Sequence, residues 1–178
     1  MRRWRSGHCT QNDQRQVGQA LDQLIRAELG PYDRQLLDSA CGIGTQAIGL
    51  ARQGHHVVGS DLSPAAARRA AVEAAARDLS IRTVAADMRH LPFASSAFDI
   101  VVCADNSIAH LLTLVELAAA LREMKRVLRP GGLLMIGTRS DFARETPPHH
   151  QPATGPPHPR TPSDHVPALG LAPRRPAL

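Results

Sequence analysis

The sequence predicts an α/β domain built on a doubly wound parallel sheet, and three features carry that expectation. Short apolar runs alternate with helix-patterned stretches from Gln35 to Gly137, each run is too short to be a helix, and the first ends in a Gly-x-Gly turn that opens a helix. Right-handed crossovers between such strands leave the order 3-2-1-4-5 as the economical topology.

The elements follow in chain order. Residues 15–29 place Val17, Leu21, Leu24, Ile25 and Leu29 at spacings of three and four, one face of a helix, which Gly30-Pro31 ends. Leu36-Leu37 closes a first strand, residues 47–52 form the helix after it, and residues 56–59 form a second strand. Pro64 opens an Ala-rich helix that runs to Arg77, with Ser63 as its N-cap, because proline is pre-set for a first turn and alanine has the best helix propensity. Residues 81–85 and 99–103 are the third and fourth strands. Residues 112–128 form an amphipathic helix closed by Arg129-Pro130-Gly131-Gly132, and residues 133–137 are the fifth strand. Ten of the 14 prolines lie from Pro147 onward with no apolar period between them, so residues 141–178 are expected to be a disordered tail. The expected organisation is an irregular segment 1–14, a domain 15–140 and the tail.

Composition excludes several classes. At 178 residues and 43% hydrophobic, the chain has one domain's worth of core. It contains no apolar run of about 18 residues and no signal-like opening, so a cytoplasmic protein without membrane association is expected. Cys9, Cys41 and Cys103 lack metal-ligand spacing, and no metal is expected. The net charge of +5 is spread thinly: residues 31–140 hold 12 Lys and Arg against 10 Asp and Glu. A nucleic-acid surface is therefore not indicated.

Chemistry concentrates at the strand ends. Asp38-Ser39-Ala40-Cys41-Gly42-Ile43-Gly44-Thr45 combines small residues and glycines, which let the backbone turn tightly and approach a ligand. Alone, Gly42-x-Gly44 suits a dinucleotide site or a purely structural turn equally well. Asp61, just past the second strand, can accept from two ribose hydroxyls, or can serve as a turn residue that helps cap the next helix. After the third strand, Asp87 can accept from an exocyclic adenine amine while Met88 lies on the ring; a solvated strand-end aspartate is the plain alternative. The joint occurrence of these features on one rim of the sheet marks a nucleoside site. Beyond the fourth strand, Asn106 and His110 face one pocket if their segment forms a helical turn, or else cap and decorate the next helix.

Taken in order, Asp38-x-Ala40-Cys41-Gly42-x-Gly44, Gly59-x-Asp61-Leu62-Ser63, Ala86-Asp87-Met88, Leu91-Pro92-Phe93 followed by Phe98-Asp99, and Leu128-Arg129-Pro130-Gly131-Gly132 resemble the motifs of class I S-adenosylmethionine (SAM) dependent methyltransferases, over about residues 35–138. Ala40 in place of the usual first glycine, and Asn106-Ser107-Ile108-Ala109-His110-Leu111, are similar to the glycine/sarcosine N-methyltransferase group. The resemblance implies a Rossmann-like fold, SAM as cofactor, and a small-molecule methyl acceptor, an amine such as glycine or sarcosine. It implies SAM contacts from Ala40, Asp61, Asp87, Met88, Ala104 and His110. The glycines of the turn, Gly42 and Gly44, and Leu62 of the second motif join that cofactor set. Arg15 matches the arginine that holds the SAM carboxylate, and Asn106 faces the substrate carboxylate. Methyl transfer from a sulfonium needs no dedicated nucleophile or metal, and the residues offer none; Asn106 and His110 are the substrate-facing candidates.

Two departures from the family stand beside this. The antiparallel edge strands that follow the fifth strand give way to Thr138-Arg139-Ser140-Asp141-Phe142 and the prolines, and only Trp4 and Tyr32 stand where the family has an aromatic-rich opening. The expectation is a chain shortened or altered at its C-terminus, and the alternative function is a SAM-binding fragment with impaired turnover. An NAD-dependent oxidoreductase finds no support after Gly44. The oligomeric state is left open.

Overall fold

Leu36 and Leu37 stand side by side, and only an extended chain buried on both faces hides both, because successive strand side chains point to opposite sides. In the computed structural model, which describes residues 11–138, they are the fully buried centre of strand β1 (Gln35–Ser39). The other elements are α1 (Gln11–Leu29), α2 (Thr45–Ala51), β2 (His56–Asp61), α3 (Pro64–Ala75), β3 (Arg82–Ala85), β4 (Phe98–Cys103), a 3₁₀ turn (Ser107–His110), α4 (Leu114–Val127) and β5 (Leu128–Ile136).

The sheet order is β3-β2-β1-β4-β5, as the alternation predicts, and all four pairings among the described residues are parallel. The strands divide their side chains by period two. Leu36, Val57, Ile100 and Val102 meet Ile25, Ile48, Leu50 and Ala74 from α1, α2 and α3 on one face. Leu37, Val101 and Cys103 meet Met124 and Val127 of α4, with Leu91, on the other. The sheet is therefore covered on both sides, as an all-parallel sheet requires.

Local signals place the helices. Ser63 caps α3 by accepting from the Ala66 amide at 3.3 Å, and Pro64 opens the helix as expected. Thr113 caps α4 and accepts from the Glu116 amide at 3.2 Å, while its hydroxyl donates to the Glu116 carboxylate at 3.1 Å. Gly30, at φ 85, closes α1 with its amide on the Arg26 carbonyl. Below that end, buried His55 donates from Nε2 to Asp22 at 3.0 Å and accepts the Arg34 amide at Nδ1 at 3.2 Å, which fixes its tautomer. Arg26 also holds Asp22 and bonds the Pro31 and Gln53 carbonyls, tying α1 to the loops around β1 and β2.

Three expectations need correction. The helix α1 starts at Gln11, so residues 11–14 are not irregular. Its buried stripe also differs, because Leu24 is 57% exposed while Gln14, Gly18, Asp22 and Ile25 are buried. The cause is the crossing with α2: a Cβ on Gly18 would lie 2.3 Å from the Gly49 carbonyl carbon, and one on Gly49 2.4 Å from the Gln14 oxygen. That backbone contact, rather than the leucines, sets how α1 rotates. At the other end, α4 stops at Val127 and β5 starts at Leu128 instead of at Leu133. Leu128 already pairs with Phe98, and the ladder then shifts register before Ile100 meets Leu133. Pro130, without an amide proton, and Gly131 at φ 78 fill the irregular stretch. The expected tail 141–178 lies outside the described residues.

Candidate functional site

In a parallel sheet every strand ends on the same rim, so the residues after β1, β2, β3 and β4 are gathered without further contrivance. Register sharpens this: Ser39 lies beside Ser60, and Asp61 beside Ala85. Above this rim opens a cavity of about 670 Å³, within the size range of small-molecule and cofactor sites.

The turn after β1 forms its floor. Ala40 sits at φ 66, Gly42 at φ 54 and Gly44 at φ 93, so the chain reverses through left-handed conformations that glycine tolerates and alanine does not favour. The Cys41 amide reaches the Ser60 carbonyl at 2.9 Å, and the Gly44 amide returns to the Cys41 carbonyl at 2.8 Å. Among the described residues, its chain neighbours aside, no heavy atom lies within 4 Å of where a Gly42 Cβ would stand, which leaves open space above the backbone.

Asp61 ties this turn to β2. Its Oδ2 accepts the Gly42 amide and its Oδ1 the Ser63 amide, both at 2.8 Å. Each oxygen keeps a second lone pair, so the residue fixes the turn and can still accept from vicinal hydroxyls. Leu62, 72% exposed, continues the wall.

At the β3 end the geometry adds a partner that spacing does not show. Arg89 donates from Nε to both oxygens of Asp87 at 3.0 Å and from Nη2 at 2.6 Å, and its amide adds a bond at 2.8 Å. These bonds, the side-chain ones first, hold the Asp87 carboxyl below its usual range although burial opposes them. The Nη1 of Arg89 meets Glu116 of α4 at 2.5 Å, so one arginine links the β3 end to α4 along the cavity wall. Met88 lines the same wall and packs against the second core cluster.

At the β4 end, Asp105, Ser107, His110 and Leu111 line the cavity. The expected pairing of Asn106 with His110 does not form on the cavity wall, because the segment is a 3₁₀ turn and not α-helical. In a 3₁₀ turn residues three apart eclipse, so Ser107 shares a face with His110 and Asn106 does not line the cavity. Asn106, at φ 61, instead bonds through its backbone to Gly137 and Ala109.

Of the sequence-derived set, the cavity thus brings together Ala40, Gly42, Asp61, Leu62, Asp87, Met88 and His110. Gly44 lies behind the turn, where a Cβ would meet Ala70 at 3.1 Å, so its role is helix packing. Ala104 is not among the cavity-lining residues; its carbonyl is taken by the Ser107 amide and hydroxyl. Arg15 is exposed on α1 and does not line the cavity. Sequence reasoning missed Arg89, Asp105 and Glu116; charged residues lining a cavity from separate elements have no local signature.

Beneath the turn lies Asp38, fully buried, with Oδ2 lacking a hydrogen-bond partner among the described residues. Burial pushes its carboxyl up to about 7, the charges of Asp105 and Asp61 add to this, and an Ala47 amide opposes it. Burial likewise pushes the Cys41 thiol to about 12 and Cys103 to about 11, so neither is a nucleophile at neutral pH.

Comparison with known proteins agrees with this architecture. Residues 36–132 match the methyltransferase domain family. A demethylmenaquinone methyltransferase of Mycobacterium marinum is 37% identical over 108 residues, covering 61% of this chain and 42% of its own length. A glycine/sarcosine N-methyltransferase of Parasynechococcus marenigrum is 38% identical over 108 residues, covering 60% and 38%. Among solved structures, SAM-bound CalS10, an amino pentose methyltransferase from Micromonospora echinaspora, superposes with a TM-score of 0.63 at 30% identity, covering 71% of this chain and 51% of its own. The chain spans less than half the length of these two curated relatives. With its Rossmann-like parallel sheet and a match across more than half of its residues, the chain belongs to the methyltransferase domain family, whose cofactor is S-adenosylmethionine. Among the described residues no helix is long and apolar enough to cross a membrane.

Proposed function

We propose that the chain binds S-adenosylmethionine in the rim cavity and transfers its methyl group to a small-molecule acceptor, an amine such as glycine or sarcosine. The observation that carries this is the convergence of the open Gly42 turn, Asp61 and Asp87, from three strand ends, on one cavity of about 670 Å³.

The residues present fit the cofactor. Asp61 retains lone pairs for ribose hydroxyls, the space over Gly42 admits a ligand against the backbone, and Met88 offers a polarizable wall for a base. Among the described residues four carboxylates line the cavity, Asp61, Asp87, Asp105 and Glu116, against one arginine, Arg89, a balance suited to a cationic guest. When bound, the cofactor supplies an electrophilic methyl group. The chain's residues then have to orient the acceptor and exclude water, which can account for a large part of such a barrier. Ser107 and His110 share the cavity face beyond β4, so they are among the groups able to accept a hydrogen bond from an acceptor amine. The amine reading draws support from the glycine/sarcosine relative and the amino pentose neighbour; the demethylmenaquinone relative keeps a second acceptor class in the comparison.

Isothermal titration with SAM and S-adenosylhomocysteine, followed by methyl transfer to glycine, sarcosine and a panel of small amines, tests this. Saturable binding of both cofactors with turnover of an amine is expected. Binding without turnover of any amine would leave the SAM-binding fragment as the better description, and no binding at all would remove the assignment.

A further inference from the structure

Among the described residues, three of the four carboxylates that line the cavity are already committed. Asp61 holds the Gly42 and Ser63 amides, while Asp87 and Glu116 share Arg89. Asp105 makes no hydrogen bond or ion pair among the described residues, yet it lines the cavity, and its charge reaches the buried Asp38. It is also held where an aspartate does not rest by preference. Asp105 at φ 56 and Asn106 at φ 61 are consecutive left-handed residues, an arrangement maintained by the Asn106 amide on the Gly137 carbonyl and the Gly137 amide on the Cys103 carbonyl.

Its position along the sheet says what this charge faces. The order is β3-β2-β1-β4, with neighbouring strands about 4.8 Å apart. If the ribose lies over Asp61 at the β2 tip and the base extends toward Asp87 at the β3 tip, the rest of the cofactor has to run the other way, over β1 toward β4. Among the described residues that line the cavity, the charged group just past the β4 tip is Asp105. From this we infer that Asp105 selects the methyl donor by charge: its carboxylate faces the cofactor's sulfonium and favours it over the neutral thioether left after transfer. The inference rests on the SAM assignment above. It assigns to Asp105 a task that neither Asp61 nor Asp87 can perform, since both lie on the nucleoside side. The same preference would help the spent product, neutral at sulfur, to leave.

The test needs no acceptor. SAM and S-adenosylhomocysteine differ only by the methyl group and its positive charge, and sinefungin carries an ammonium on a carbon that replaces the sulfur. Their dissociation constants are measured by isothermal titration for the wild-type chain and for Asp105→Asn, a near-isosteric change to a residue that tolerates the left-handed conformation. The variant is expected to lose about three- to tenfold in affinity for SAM and for sinefungin, the range for an exposed charge acting through partly screened space, with S-adenosylhomocysteine changing less than about twofold. A purely structural role would weaken all three together. Parallel losses, or no loss, would overturn the inference while leaving SAM binding intact. Failure of the wild-type chain to bind any of the three would sink the cofactor assignment, and this inference with it.

Discussion

Asp38 offers a quantitative check on the geometry beneath the turn, through the substitution Asp38→Asn. Its carboxyl is fully buried, with one oxygen unpartnered, and is raised from 3.8 to about 7. Below about pH 4 the group is protonated in both folded and unfolded chains and contributes no pH dependence. Between about 4 and 7 the unfolded chain releases this proton while the folded one keeps it, so stability falls as pH rises. Above about 7 both forms are ionised and the loss levels off. At about 1.4 kcal/mol per pH unit, the loss sums to about 4 kcal/mol, a large share of the 5–15 kcal/mol typical of a domain. Asparagine mimics the protonated form and retains an acceptor for the Ala47 amide, so the variant escapes this loss. Urea unfolding of both proteins between pH 4.5 and 8.5, followed by circular dichroism, should show near-equal stability at the acid end. The variant should then gain steadily, to several kcal/mol, by pH 8. A difference that stays constant across this range would mean that Asp38 is hydrated or paired, and the buried site as described would be wrong.

Other perturbations test separate parts of the structure. Asp61→Ala removes the acceptor of the Gly42 and Ser63 amides and the proposed ribose contact, and should cost about 1–3 kcal/mol of SAM affinity by titration; unchanged affinity would exclude the ribose role. Arg89→Ala frees Asp87 and Glu116 and removes the one arginine that lines the cavity among the described residues, so SAM should bind severalfold more tightly, and weaker binding would show that Arg89 itself contacts the cofactor. Gly49→Ala should lower the melting temperature by several degrees. The clash with Gln14 and Gly18, at about 1–3 kcal/mol of overpacking, outweighs the ~1 kcal/mol gain in helix propensity, and a rise in melting temperature would contradict the α1–α2 contact.

How much of this was legible in the sequence depends on the range over which each feature is encoded. The strand positions, the Ser63-Pro64 helix start and the sheet order follow from periods and caps a few residues long, and each such signal agrees with its neighbours, so the order of β1 to β5 could be read before any coordinate. The convergence of Ala40, Gly42, Asp61, Asp87 and Met88 was legible for a related reason: parallel strands deliver their C-terminal ends to one rim whatever the side chains do. What escaped depends on atoms meeting across the fold. The rotation of α1 is set by Gly18 against Gly49, 31 positions away, and leucine spacing carries no trace of that contact. The link from Arg89 to Glu116 depends on α4 arriving from 27 positions away, and the separation of Asn106 from His110 turns on whether one short segment closes as 3₁₀ or α, a difference of one residue in hydrogen-bond span. Asp105 illustrates the limit most clearly. In the sequence it is one aspartate beside an asparagine after a strand, and its standing as the uncommitted carboxylate emerges only once the partners of Asp61, Asp87 and Glu116 have been accounted for. Strand-end placement therefore locates a cofactor cavity from sequence alone, but which charges in it remain free to act on a guest is a property of the assembled fold.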